Sequence, residues 1–171
     1  SGLDTIIAGN IGIPSYFEKE IAPNITHDIS DKKNKLESYL NLPGESGGRV
    51  VYVGEVNDVQ KKGLFSNARA FLMPIIRPEP FGLVMVEAML SGTPVIAYRC
   101  GSVPEIVADG KTGYIVESVD EMKKAIDKVG NLSPQECRDY AVNKFSKAKM
   151  AEGYLKVYQD LIRCASNPPM S

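Results

Sequence analysis

The sequence predicts an α/β fold: a doubly wound parallel sheet with helices on both faces. Three observations predict it. Short β-branched runs alternate with helical runs along the whole chain. The first two strand candidates close on glycine, Gly9 and Gly54, as chains do when they leave a strand. Three helix starts share the S-x-x-E pattern, with Glu placed to reach back toward a capping serine. At 171 residues the chain reads as one domain, residues 1–171. A chain of this size buries roughly 70% of the surface that it exposes when unfolded.

The elements follow in order. Residues 4–9 (DTIIAG) form a short buried strand, and residues 14–21 a helix that starts on proline. Residues 23–48 turn polar and are expected as an insertion, with one surface helix over 31–40. Residues 49–54 (RVVYVG) restart the pattern as a strand. Asn57 or Asp58 then caps a helix running to about 68. A third strand is expected at 70–74, a strongly apolar helix at 82–91, a fourth strand at 93–98 and a fifth at 113–116. The boxes open at Ser102, Ser118 and Ser133, paired with Glu105, Glu121 and Glu136. After the second, Met122, Ala125, Ile126 and Val129 make one apolar stripe. Residues 146–171 are a C-terminal helix and tail, with Met150, Tyr154, Val157, Tyr158, Leu161 and Ile162 on one helical face. The tyrosines there suit packing in a core or between domains better than stacking on a sugar.

Composition removes several function classes. Twenty Lys and Arg against 21 Asp and Glu leave a net charge of −1, so there is no electrostatic case for a nucleic-acid partner. The three cysteines are far apart, and His27 is the one histidine. That pattern suits reduced thiols in a cytoplasm, and neither a disulfide framework nor a metal built from His and Cys. The apolar runs are too short to span a bilayer, so no integral membrane segment is expected; peripheral attachment is left to segments outside this chain. Gly110-Lys111-Thr112 has the ending of a phosphate-binding P-loop, but Glu105 stands where the required glycine belongs; an Asp-Gly turn accounts for it.

The chemistry concentrates in residues 74–105. A proline-broken loop (Ile75, Ile76, Arg77, Pro78, Glu79, Pro80, Phe81) leads to Gly82, which opens the helix containing Glu87. In an open α/β sheet, ligands bind beyond the carboxyl ends of strands, where this loop is expected. Gly82 lets a phosphate approach the amides of Gly82 and Leu83, and the helix dipole favours the negative charge. Prolines on either side of Glu79 restrict its backbone. A carboxylate is acceptor-only and suits pairs of sugar hydroxyls. A phosphate between two polyols fits this arrangement, but acids near a helix start are also ordinary surface features. For Arg77, a phosphate contact and a plain surface charge both stand.

Residues 79–89 (EPFGLVMVEAM) resemble the E-x7-E motif of retaining glycosyltransferases of the GT-B fold, in particular the group 1 family. The similarity continues through residues 92–97 (GTPVIA), 101–107 (GSVPEIV) and 109–114 (DGKTGY), with Gly54-Glu55-Val56 and Ser66-Asn67-Ala68 upstream. It covers about residues 49–130 well. The resemblance implies a Rossmann-like C-terminal half of a GT-B enzyme, transferring a hexose from a nucleoside diphosphate sugar (UDP-glucose as the first choice) to a hydroxyl acceptor with retention and without a bound metal. Glu79 is implied as the catalytic-site carboxylate on the donor sugar. Phe81, Gly82 and Leu83 would offer main-chain amides to sugar and diphosphate, Glu87 would take the ribose hydroxyls, and the loop after Gly54 would lie near the base.

Parts of the family pattern have no counterpart here. The family's glycine-arginine turn and the lysine after it cannot be assigned, and the strand at 4–8 resembles the second strand of a complete domain. In the order 3-2-1-4-5-6 the unassigned strand would be central. An N-terminal acceptor domain, or a complementary chain, is the implied partner. Catalysis by these residues alone is not expected, and a non-catalytic nucleotide-sugar-binding module or structural fragment is the competing assignment. A glycoside hydrolase using Glu79 and Glu87 is disfavoured: its two carboxyls must stand about 5–9 Å apart across one bond, with no need for a glycine at a helix start.

Overall fold

The computed structural model describes residues 2–44 and 46–166, with the side chains of 165 and 166 left aside. The chain divides into two compact units, Ser1–Asn67 and Ala68–Ser171. The α/β character is as expected and every strand pairing is parallel, but the strands form two three-stranded sheets rather than one.

In the first unit β1 (Thr5–Ala8), β2 (His27–Asp28) and β3 (Val50–Gly54) assemble in the order β1-β3-β2. The central strand β3 is the apolar run, and Val51 and Val53 are fully buried with Ile29. Between β1 and β2, α1 (Pro14–Tyr16) continues into a π-helical turn, Phe17–Ile21, matching the expected helix. The polar stretch after it is not all loop. His27 and Asp28 pair with Val51 and Tyr52, and α2 (Lys35–Leu40) starts later than expected because Asn34 is its cap, accepting from the Glu37 amide. Lys35 is buried because its ammonium donates to the carbonyls of Ile29 and Ser30. α3 (Asp58–Asn67) opens with a reciprocal box: Asn57 Oδ1 accepts from Gln60 N at 2.9 Å and Gln60 Oε1 from Asn57 N at 3.0 Å. Below β1, Asp4 takes hydrogen bonds from the Arg49 side chain and amide and from Tyr39 Oη. Those donors, the Arg49 side chain first, hold its carboxyl well below the usual carboxylate range.

In the second unit β4 (Phe71–Met73), β5 (Val95–Tyr98) and β6 (Gly113–Val116) lie in the order β4-β5-β6. α4 (Leu83–Leu90) follows β4, and α5 (Val103–Ile106) follows β5. α6 (Val119–Lys128) follows β6. Of the stripe read from sequence, Met122, Ala125 and Val129 (just past the helix end) are buried with Ile96 and Val116, while Ile126 packs partly buried against them. α7 (Pro134–Phe145) packs on α4: Met85 and Met89 of α4 and Cys137 and Ala141 of α7 are fully buried. Two of the three predicted caps form, Ser118 accepting from Glu121 N at 3.2 Å and Ser133 from Glu136 N at 3.3 Å. The third does not. Ser102 already has helical backbone angles (φ −75°, ψ −7°), so its hydroxyl cannot turn back on the first turn of α5 and bonds elsewhere. α8 (Lys147–Ser166) is a long helix whose apolar face, including Tyr154, Tyr158, Leu161 and Ile162, is exposed rather than buried in a core. Residues 167–171 of the predicted tail lie outside the described residues.

Candidate functional site

The segment between β4 and α4 carries Arg77, Glu79, Phe81 and Gly82. β4 stops at Met73 because Pro74 has no amide to continue the ladder. Prolines 78 and 80 then keep the chain irregular up to Gly82, the cap of α4. Gly82 adopts φ +77°, ψ +57°, a left-handed conformation that costs an L side chain about 1–2 kcal/mol. A side chain there would also require its neighbours to shift: a Cβ would overlap Met85 Cε, the flexible end of that side chain, and come within 3.2 Å of Glu79 Cγ.

Glu79 is half-buried, and its Oε1 accepts the Gly82 amide at 3.1 Å. The glycine amide that the sequence assigns to a phosphate is therefore held by the neighbouring carboxylate. One carboxylate oxygen is used in that bond; the other, Oε2, retains its acceptor positions. Leu83, the first residue of α4, is exposed at 67%. Its amide opens the first helical turn, where N–H groups lack an i−4 partner within the helix, although the Met85 amide donates to Gly82 O at 2.9 Å. Glu87 lies one turn further on, half-buried, while the α4 residues facing the core are Met85, Val86, Ala88 and Met89. Residues 83 and 87 share a helical face at i, i+4 spacing, so Glu87 stands on the same side of α4 as exposed Leu83. Arg77 is exposed on the same loop, two residues before Glu79.

Phe81 leans edge-on against Phe145 of α7, with centroids 6.0 Å apart and planes at 88°, and Phe145 meets Tyr140 in the same way. Lys144 Nζ lies 5.1 Å from the Tyr140 centroid and 5.4 Å from that of Phe145, and donates to the Glu105 carbonyl at 2.7 Å. Thus the C-terminal end of α7 supports the loop through Phe145. From β5 the turn 100–102 reaches the same loop: Cys100 Sγ donates to Ile76 O at 3.4 Å, Ser102 N to Glu79 O at 3.0 Å, and Ser102 Oγ to Phe81 O at 2.7 Å. Ser102 was legible only as a cap candidate, since its true partner is 21 residues away in sequence.

The structure thus gathers Arg77, Glu79, Phe81, Gly82, Leu83 and Glu87 on one loop-helix junction. Gly54 and Glu55 belong to the first unit, where Gly9 N donates to Gly54 O and Asn10 Nδ2 to Glu55 Oε1 at 2.6 Å beyond the carboxyl ends of β1 and β3. His27 is half-buried in β2. An open hollow beside α7, lined by Lys111, Glu136, Asp139, Tyr140 and Lys144 among others, does not include the junction's acids. Among the described residues no group of His, Cys, Asp and Glu is placed to hold a metal ion, and no helix is long and apolar enough to cross a membrane.

Comparison with known proteins bears on this arrangement. The family model described as "Glycosyl transferases group 1" matches residues 15–148. The chain is 39% identical over 151 residues to a protein of Klebsiella pneumoniae described as "Uncharacterized 41.2 kDa protein in cps region", covering 85% of this chain and 38% of that one. It is 29% identical over 135 residues to the phosphatidyl-myo-inositol mannosyltransferase of Mycobacterium leprae, covering 73% and 36%. Among solved structures, it superposes on AviGT4, a glycosyltransferase involved in avilamycin A biosynthesis, with a TM-score of 0.64 at 24% identity, over 94% of this chain and 44% of that one. Anabaena Alr3699/HepE, solved in complex with UDP-glucose, gives 0.57 at 19%, over 92% and 49%. These likenesses show the fold, α/β of the GT-B glycosyltransferase domains. The chain spans well under half the length of the curated relatives named here and aligns with their C-terminal portion. With the family model covering most of its residues, the chain belongs to the group 1 glycosyltransferases.

Proposed function

We propose that this chain is the donor-binding portion of a retaining glycosyltransferase that takes a hexose from a nucleoside diphosphate sugar, UDP-glucose first among the candidates, and delivers it to a hydroxyl acceptor. The observation that carries this is the junction itself: Gly82 at a left-handed cap, with the Glu79 carboxylate folded onto its amide at 3.1 Å and Glu87 on the exposed side of α4. Glu79 supplies Oε2 to hydroxyls of the donor sugar while Oε1 keeps the loop closed on Gly82. The Leu83 amide at the start of α4, with the helix dipole behind it, takes the diphosphate, and that stabilisation grows as negative charge develops on the leaving group. Glu87 accepts from the ribose hydroxyls, and Arg77 is placed on the loop to add a cation to the phosphates. Acceptor binding, and with it the full reaction, belongs to an N-terminal domain supplied by the longer protein or by a complementary chain. The setting proposed is cytoplasmic.

Calorimetric titration of this chain with UDP, UDP-glucose, GDP-mannose and ADP-glucose tests the assignment. Binding of one nucleotide series, weakened about tenfold or more by Glu87→Ala, is expected; a folded chain that binds none of them contradicts it. Slow release of free hexose from the bound donor supports catalytic competence, whereas tight binding without any turnover favours a binding module.

A further inference from the structure

We propose that Ser102 and Gly101 are positioning residues for the donor loop, holding Glu79 in place from the turn between β5 and α5. The inference rests on the donor-site assignment above for its functional consequence, but its structural half stands independently. Ser102 is buried and uses both of its donors on the loop, the amide on Glu79 O and the hydroxyl on Phe81 O, instead of capping α5. Two bonds to carbonyls two residues apart fix the position and the tilt of the segment between them. Gly101 closes the other side: with φ +54°, a Cβ built on it would stand 2.5 Å from Glu79 N and 2.6 Å from Glu79 O, so any side chain at 101 pushes the Glu79 peptide away. The Cys100 thiol contact to Ile76 O extends the strap to the start of the loop. The Glu79 carboxylate then needs only its own bond to Gly82 N to settle its direction. A buried hydroxyl spent on an irregular loop, rather than on the helix whose start it occupies, costs α5 a cap and is explained by what the loop must hold.

The experiment compares Ser102→Ala with Ser133→Ala, a change that removes a cap far from the loop in sequence, in amide exchange and in binding of UDP and UDP-glucose. For Ser102→Ala we expect exchange of the Gly82 amide to rise about tenfold while the Glu105 and Ile106 amides of α5 keep their protection. Affinity for UDP-glucose falls about tenfold and that for UDP less than twofold, because Glu79 faces the sugar. Ser133→Ala lowers thermal stability without moving either ligand. Gly101→Ala should reproduce the loop effect, and Ser102→Thr, which keeps the hydroxyl, should restore the Gly82 protection. Unchanged Gly82 exchange, or equal loss of UDP and UDP-glucose affinity, overturns the positioning role. If the unaltered chain binds neither ligand, the donor-site assignment fails instead, and the Gly82 exchange rates still decide whether the strap holds the loop.

Discussion

Replacing Gly82 by alanine perturbs the point where α4 begins. Two costs add. The left-handed backbone (φ +77°) charges an L residue about 1–2 kcal/mol. The new methyl also overlaps Met85 Cε and crowds Glu79 Cγ at 3.2 Å. Met85 is fully buried on the core-facing side of α4, so the end of its side chain retreats only into a packed core, at a cost of about 1–3 kcal/mol. The total expected is about 2–5 kcal/mol. Gly110→Ala supplies the control, since Gly110 also has positive φ (+72°) but nothing lies within 4 Å of a Cβ placed there. It should lose only the conformational part, about 1–2 kcal/mol. Urea unfolding of both variants, compared at equal m-value, measures the difference. Equal losses, or a loss below about 0.5 kcal/mol for Gly82→Ala, would refute the steric reasoning and the packing assigned to the Glu79–Gly82 turn.

Further outcomes follow from the same structure. Asp4 has its folded proton affinity depressed, chiefly by the Arg49 side chain and then by Tyr39, so its stabilising contribution is complete above the unfolded value of about 3.9 and declines as pH falls below it. Asp4→Asn should therefore flatten the dependence of the melting temperature on pH below about 4, down to about 2, and an unaltered acid slope there would contradict that. Burial pushes the Cys137 thiol up to about 11, so at pH 8 it stays protonated and resists alkylation while exposed Cys164 reacts first, as mass spectrometry would read directly. Met89→Ala, at a fully buried site on α4, should cost about 2–5 kcal/mol. Leu161→Glu on the exposed face of α8 should stay within about 0.5 kcal/mol of the unaltered chain; a large loss would mean that face is covered.

Much of this was legible in the sequence because glycine, proline and periodicity act locally. The strand expected at residues 113–116 forms with those bounds, and the apolar stripe of α6 is buried where its spacing places it. What escaped depends on partners distant in sequence. The two residues of β2, His27 and Asp28, carry no strand signal of their own and are extended because β3 offers them a ladder. Ser102 matches S-x-x-E as well as Ser118 does, yet only Ser118 has the extended backbone that lets a hydroxyl reach its N3 amide. Gly82 was identified as the opening of α4, but not that Glu79 would occupy its amide, a bond decided by side-chain rotamer. The stripe on α8 shows the complementary limit: period reveals that a face is apolar, and says nothing of what covers it.

Residues 79–87 are proposed to receive a nucleoside diphosphate sugar. An NMR titration of the chain with UDP-glucose, repeated with Glu87→Ala, tests that most directly. Shifts concentrated on the amides of Glu79, Phe81, Gly82, Leu83 and Glu87, and weakened by the substitution, are the predicted result. A folded chain whose amides from 79 to 87 do not respond at millimolar UDP-glucose, GDP-mannose or ADP-glucose would contradict the claim.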